Sequence, residues 1–126
     1  MKNILHLNSV WTLIPARSGS KGIKNKNLQK IGNYSLVARA ILTSKKSRSI
    51  DRTFLSTDSI RIKKEGIKFN AEVPFLRSKK NSRDISNDYD VVREFLLKIS
   101  NLEKKIPKYI LYLRPTTPIR NSKTID

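Results

Sequence analysis

The stretch VWTLIPARSGSKGIKNKN, residues 10–27, sets the architecture of this chain. Its first seven residues, VWTLIPA, are apolar and partly β-branched, and they predict a strand buried on both faces, which is typical of a parallel sheet. The remainder is a loop of small residues that carries four cations and no acid. These cations are Arg17, Lys21, Lys24 and Lys26.

The loop that follows the strand has the composition of a phosphate-binding segment, although it contains neither G-x-G-x-x-G nor G-x-x-x-x-G-K-[ST]. Its small residues, Ser18-Gly19-Ser20, let backbone N–H groups approach an anion closely. Arg17 offers a planar fork to phosphate oxygens, and the lysines offer mobile charges. A di- or triphosphate needs several such donors over about this length of chain. The alternative is a solvated basic loop.

The whole chain is strongly basic. Its 126 residues include 27 Lys and Arg against 10 Asp and Glu, which gives a formal charge of +17. Such a balance favours nucleic acid, acidic membrane or phosphorylated small molecules as partners. A coding bias toward lysine and asparagine also explains the total, but it does not explain the cluster in the first loop. The length suffices for one domain with its own core, residues 1–126.

Residue types exclude several classes of chemistry. The chain has no cysteine, so disulfides, thiolate zinc sites and cysteine nucleophiles are excluded. Its single histidine, His6, lies near the N-terminus, where a solvated side chain is the usual case. No apolar run approaches the ~20 residues of a membrane span. Residues 1–17 lack a small-residue cleavage site, so we interpret them as leading into a strand rather than as a signal peptide and expect a cytoplasmic protein.

Strand and helix patterns alternate along the chain. The predicted strands are residues 10–16, 51–58, 71–76 and 108–113, and the predicted helices are residues 35–46, 59–69 and 88–105. This order predicts an α/β fold with a mostly parallel sheet and helices on both faces. Ligands bind such sheets at the carboxyl ends of the strands. The loops at those ends are residues 17–33, 56–58, 77–88 and 114–121.

Local signals support the helix assignments. Ser35 is expected to cap the first helix, Gly66 weakens the second, and Asp88 is expected to cap the third. Asp58 is expected to cap a helix or to order its loop, in preference to binding a metal. We interpret Trp11, Tyr109 and Tyr112 as packing residues. The apolar stripe of the third helix comprises Val91, Val92, Phe95, Leu96, Ile99 and Leu102.

Residues 14–28, IPARSGSKGIKNKNL, resemble the signature of the CMP-N-acylneuraminate synthetases, the sialic-acid-type cytidylyltransferases. LSTD (55–58), EVPFLR (72–77) and LRPTTPIR (113–120) are similar to further motifs of that family, in the same order. The resemblance covers almost the whole chain and implies a three-layer Rossmann-like nucleotidyltransferase fold. The Kdo cytidylyltransferases share the fold but differ in the first loop, which makes them the second choice.

The resemblance implies transfer of CMP from CTP to a nonulosonic acid of sialic, legionaminic or pseudaminic type, with release of pyrophosphate and a requirement for magnesium. It also assigns residues to the triphosphate, the cytosine and the acceptor sugar. Those residues are Arg17 and Lys26 for the triphosphate, helped by Ser20, Lys21 and Asn27; Arg77 and residues 84–88 for the cytosine; and Arg114 and Thr116 for the sugar.

Two departures from the family pattern matter. Many members carry Gln where this chain has Arg114, so the extra cation is expected either to pair with the acceptor carboxylate or to mark a legionaminic- or pseudaminic-type sugar. Residues 122–126 predict the start of another helix, which indicates a truncated chain. We expect the magnesium aspartates and the homodimer contacts in a missing second half, and little turnover from residues 1–126 alone.

Two other interpretations stay open. A nucleic-acid-binding module fits the charge of +17, but the aromatic residues do not interleave with basic ones on a single segment, which disfavours it. The other is an inactive remnant that keeps the family pattern and has lost the activity.

Overall fold

The computed structural model describes residues 5–19, 26–82 and 87–115. It contains five strands and three helices, and two short 3₁₀ turns, Lys26–Leu28 and Lys80–Ser82, lie in the loops. The strands are β1 (Leu5–Pro15), β2 (Lys30–Ile31), β3 (Tyr34–Ser35), β4 (Arg52–Ser56) and β5 (Lys105–Tyr112), and the helices are α1 (Leu36–Lys46), α2 (Ile60–Lys68) and α3 (Asp88–Glu103).

The main sheet is parallel and has the strand order β4-β1-β5. β1 lies in its centre, where Trp11 faces Arg52 on one side and Ile110 on the other. This position explains why the first apolar run is hydrophobic on both faces. β2 and β3 form a separate antiparallel hairpin whose turn contains Gly32, at φ 70°. The predicted turn at residues 32–33 is therefore confirmed, and the hairpin around it was not predicted.

Helices cover both faces of the sheet. Ile14 of β1 packs with Ile41 of α1 and Ile62 of α2 in one buried cluster. Trp11 of β1 packs with Phe95 of α3 in a second cluster on the opposite face. Alternate side chains of one strand thus enter two different cores, because successive residues point to opposite faces. The predicted three-layer α/β arrangement and the packing role of Trp11 are confirmed.

The structure explains two residues that the helix patterns singled out, Ser35 and Gly66. Ser35 caps α1 as predicted, since its side chain accepts a hydrogen bond from the backbone N–H of Ala38. Gly66 allows α2 to approach β4, because a Cβ atom at this position would lie 2.4 Å from Cδ2 of the buried Leu55. The glycine that weakens the helix pattern in the sequence is therefore a close-packing position.

Two predictions for the third helix are wrong. The N-cap of α3 is Asn87, whose side chain accepts from the backbone N–H of Asp90, so Asp88 is the first helical residue. Adjacent Asn and Asp are equally good capping residues, and the sequence does not separate them. Leu102 is 60% exposed because the core beneath α3 ends at Ile99.

The predicted strand at residues 71–76 is reduced to a single bridge. Glu72 pairs with Phe54 of β4. Its backbone N–H donates to the carbonyl oxygen of Thr53, and its carbonyl oxygen accepts from the N–H of Leu55. Pro74 has no N–H to continue the ladder, so the chain leaves the sheet there. The packing role predicted for Tyr109 is also wrong, since this side chain is 60% exposed on the edge strand β5.

Some predictions fall outside the described residues: those for the side chain of His6 and for a helix at residues 122–126. No helix in the described part of the chain is both long and apolar enough to span a membrane.

Candidate functional site

The carboxyl ends of the three parallel strands each carry a charged residue two positions after the strand ends. Arg17 follows β1, Asp58 follows β4 and Arg114 follows β5. Because the strands are parallel and adjacent, these ends lie at the same edge of the sheet. We call this edge, with the loops that leave it, the carboxyl edge.

Asp58 fixes the start of the first loop. Its Oδ1 accepts from the backbone N–H of Ser18 at 2.8 Å, and its Oδ2 accepts from the Ser18 hydroxyl at 3.0 Å. The cap of α2 is the neighbouring Ser59, whose side chain accepts from the N–H of Ile62. Of the two roles expected for Asp58, the structure shows the loop-ordering one.

Asn27 holds the other end of the same loop. Its Nδ2 donates to the carbonyl oxygen of Arg17 at 3.1 Å, so the two ends of the loop are tied together. The Asn27 side chain is buried, and its Oδ1 has no hydrogen-bond partner among the described residues. Because this oxygen is an acceptor, it suits a hydroxyl or N–H donor, and only the N–H groups of Asn27 can contact a phosphate.

Arg77 is an internal support for β4. Its Nε donates to the Ser56 hydroxyl at 3.0 Å, its Nη2 donates to the Ser56 carbonyl at 2.8 Å, and the side chain is only 7% exposed. Burial lowers the pKa of the Arg77 guanidinium, and repulsion from Arg17 acts in the same direction. The charges of Asp58 and Glu94 act in the opposite direction, so burial is the main cause of the lowered pKa.

Arg114 and Tyr112 converge on one carboxylate. The Tyr112 hydroxyl donates to Asp88 Oδ1 at 3.0 Å, and Arg114 Nη2 donates to Asp88 Oδ2. Burial raises the pKa of the Tyr112 phenol, and the Asp88 charge raises it further. Tyr112 packs against the α3-side core as predicted, and its hydroxyl adds a polar contact that the sequence did not indicate.

The structure thus brings Arg17, Asn27, Arg77 and Arg114 to the carboxyl edge, and it places Lys26 in the 3₁₀ turn beside Asn27. Sequence reasoning placed Ser18, Ser56 and Asp88 in the loops of this edge, but it did not foresee their partners. Those partners are Asp58 for Ser18, Arg77 for Ser56, and Tyr112 and Arg114 for Asp88. The predicted site residues outside the described part of the chain are Ser20, Lys21 and Thr116, together with residues 84–86 of the cytosine loop and Lys24.

The described residues do not build a magnesium site. Residues 5–19, 26–82 and 87–115 hold no group of three or more His, Asp or Glu side chains arranged to bind a metal ion. Asp58, the acid nearest the first loop, is occupied by Ser18. The described residues alone do not supply the oxygen-rich coordination shell that magnesium requires.

Comparison with known proteins places this fold and edge in a defined class. The family described as cytidylyltransferase matches residues 11–126, and the chain belongs to that family. It is 33% identical over 119 residues to post-translational flagellin modification protein B of Campylobacter coli, covering 94% of this chain and 51% of the relative. It is 32% identical over 116 residues to the CMP-N,N'-diacetyllegionaminic acid synthase of Legionella pneumophila, covering 92% of this chain and 50% of the relative.

The chain spans about half the length of these curated relatives. A solved CMP:2-keto-3-deoxy-manno-octonic acid synthetase complexed with CTP superposes with a TM-score of 0.73 at 17% identity, over 93% of this chain and 44% of that one. A cytidylyltransferase from Leptospira borgpetersenii gives a TM-score of 0.67 at 21% identity, over 94% of this chain and 46% of its own. These likenesses confirm the Rossmann-like α/β fold.

Proposed function

We propose that the chain binds CTP at the carboxyl edge and that, in a protein of the length of its relatives, it transfers CMP to a nonulosonic acid with release of pyrophosphate. The observation that carries the proposal is the double anchoring of the first loop, by Asp58 at Ser18 and by Asn27 at Arg17. These contacts hold the two ends of the loop, where Arg17 and Lys26 lie, close to each other. A solvated basic loop needs no such anchors.

The triphosphate is assigned to the first loop. Arg17 and Lys26 supply the cations that flank it, and Ser20, Lys21 and Asn27 complete the set. Negative charge grows on the α-phosphate and the leaving pyrophosphate during transfer, so fixed cations stabilise the transition state more than the ground state. Positioning and charge stabilisation are the contributions that these residues can make.

The remaining assignments concern the base and the acceptor. Arg77 is held rigidly by two bonds to Ser56, which would present the end of β4 to the cytosine in a fixed position. Arg114 and Thr116 follow β5 and would face the acceptor sugar acid.

Further expectations concern the complete protein. We expect magnesium ligands and homodimer contacts outside residues 1–126, a cytoplasmic location where CTP is available, and slow turnover by this chain alone.

Calorimetric titration of the chain with CTP, ATP, GTP and UTP at fixed moderate salt tests the proposal. We expect selective CTP binding that weakens at least about tenfold in Arg17→Ala and in Lys26→Ala, because each loses a charge-assisted contact to phosphate. Lys45→Ala is the matched control: it removes one exposed charge at the end of α1 and should leave the dissociation constant unchanged.

A different outcome would contradict the proposal. Equal weak binding of all four nucleotides that fades together as salt rises would mean a general polyanion surface, as expected of a nucleic-acid-binding module.

A further inference from the structure

Asp88 lies between two hydrogen-bond donors at the carboxyl end of β5. Tyr112 is the last residue of the strand, Arg114 follows two positions later, and both donate to the Asp88 carboxylate. The two donors take different oxygens of that carboxylate, Oδ1 and Oδ2. Together they form a two-point receptor for a planar anion, which we call the carboxylate clamp (Tyr112 and Arg114).

The occupant of the clamp is held loosely. The side chains of Arg114 and Asp88 are 57% and 51% exposed. Ion pairs with this degree of exposure are weak in water, so another carboxylate at modest concentration can compete for the same donors. Asp88 does not cap α3, because Asn87 is the N-cap. Its release from the clamp would leave the helix start intact.

The donor character of the clamp is permanent near neutral pH. Burial and the neighbouring Asp88 keep the pKa of the Tyr112 phenol above its ordinary value, so its hydroxyl keeps its proton. An arginine remains charged under the same conditions. The clamp therefore offers an O–H and a guanidinium to any carboxylate that replaces Asp88.

We propose that the carboxylate clamp binds the carboxylate of a sugar-acid ligand and that Asp88 is its resident competitor, displaced when the ligand binds. The inference rests on the proposed function for the identity of the ligand, and on the hydrogen bonds of Asp88 for the site. Asp88 acts as an internal competitor: it lowers the affinity for a carboxylate ligand by the strength of its own contact, and it fills the clamp when no ligand is present.

NMR titration of the full 126-residue chain, saturated with CTP, tests this exchange. The probe is N-acetylneuraminate, and its methyl ester is the uncharged control. Signals of the Tyr112 ring and the Arg114 guanidinium report on the clamp. We expect Asp88→Asn to bind N-acetylneuraminate about two- to fivefold more tightly than the unmodified chain, the range that an exposed ion pair allows. Arg114→Gln should bind it more weakly.

Two controls separate the exchange from general charge effects. Asp90→Asn removes an acid from the same turn of α3 without touching the clamp, and its affinity for N-acetylneuraminate should stay near that of the unmodified chain. The methyl ester should show no gain in Asp88→Asn, because it lacks the charge that competes with Asp88.

Three results would overturn the inference: unchanged or weaker N-acetylneuraminate binding in Asp88→Asn, an equal gain for the methyl ester, or no response of the Tyr112 and Arg114 signals in either protein. Selective CTP binding combined with any of these results would leave the proposed function standing and the clamp refuted. The expected exchange without CTP selectivity would support the clamp and refute the nucleotide assignment.

Discussion

Arginine side chains have different partners at the two ends of the parallel sheet. At the amino end of β4, Arg52 makes hydrogen bonds of 2.6–2.8 Å to Glu72 and 2.7–2.9 Å to Glu103. Its guanidinium carbon also lies 4.6 Å from the ring centre of Trp11 and 4.7 Å from that of Phe54. The hydrogen bonds to the two glutamates raise the pKa of Arg52 above its already high value. This cation is satisfied within the protein.

At the carboxyl edge, the nearby acids bind hydroxyl and backbone groups as well as cations. Burial is the main cause of the lowered pKa of Arg77, the charge of Arg17 acts in the same direction, and Asp58 and Glu94 oppose it. Asp58 is used to hold the first loop, and Asp88 is shared between Tyr112 and Arg114. Placing like charges together costs stability, and a site for a polyanion requires it. We infer from this difference that the amino end stabilises the fold and that the carboxyl edge is the end arranged for a ligand.

The largest effect is expected from removing Arg52, which contacts two glutamates and two aromatic rings at the amino end of β4. Arg52→Ala should lower the free energy of unfolding by about 2–3 kcal/mol, because it leaves two partly buried glutamates without their cation and uncovers two aromatic rings. CTP affinity should not change. Urea denaturation and calorimetry measure the two quantities.

Arg61→Ala is the control for this substitution, because it removes an exposed arginine from α2 and should cost less than about 0.5 kcal/mol. An unchanged unfolding free energy in Arg52→Ala, or a loss of CTP binding, would remove the distinction between the two ends.

An intermediate effect is expected at the carboxyl edge. Asp58→Asn removes the charge that receives two hydrogen bonds from Ser18, so we expect CTP affinity to fall about three- to tenfold and stability to fall by about 1 kcal/mol. Asp51→Asn is a matched control, since Asp51 Oδ2 accepts from the backbone N–H of Val10 at 2.8 Å just before β4 begins.

Asp51→Asn should change stability only slightly and CTP affinity not at all. Equal losses of CTP affinity in the two variants, measured by calorimetry, would show that Asp58 has no special relation to the site.

The smallest effect is a pH dependence at the amino end. The hydrogen bond from Arg52 lowers the pKa of Glu103. The stability that Glu103 contributes is therefore fully present above the ordinary glutamate pKa of about 4.3 and is lost as the pH falls through the lower folded-state value. We expect Glu103→Gln to cost about 0.5–1 kcal/mol at pH 7 and almost nothing near pH ~2.

Urea denaturation across this pH range measures the difference between the two proteins. The same comparison in an Arg52→Ala background should show a much smaller pH dependence, because the main partner is gone. A difference that grows as the pH falls would contradict the assignment of Glu103.

The layers of the fold could be predicted from the sequence, because alternating apolar patterns report burial directly. The runs around Trp11, Phe54 and Phe95 placed the sheet and α3 correctly. The hairpin of β2 and β3 was missed because strands of two residues are too short to show a period, and their exposed Lys30 and Ile31 give no burial signal.

The cations of the site could be listed from the sequence, but their partners could not. Arg77 lies 21 residues from Ser56, and Arg114 lies 26 residues from Asp88. Such contacts depend on how the strands are arranged, which no local pattern encodes. The sequence also assigned Asp88 to a capping role that Asn87 fills, because adjacent Asn and Asp are equally good capping residues. Local preference names the candidates, and tertiary contacts select among them.

The most direct test of the central claim is an NMR map of the backbone amides of the chain as CTP is added. We predict that the large shifts will fall on residues 17–19, 26–28, 57–58 and 77 at the carboxyl edge, and that Arg52 and Glu103 will stay unperturbed. Shifts spread over basic surfaces on all sides, or concentrated at the amino end, would contradict the assignment of the carboxyl edge as the nucleotide site.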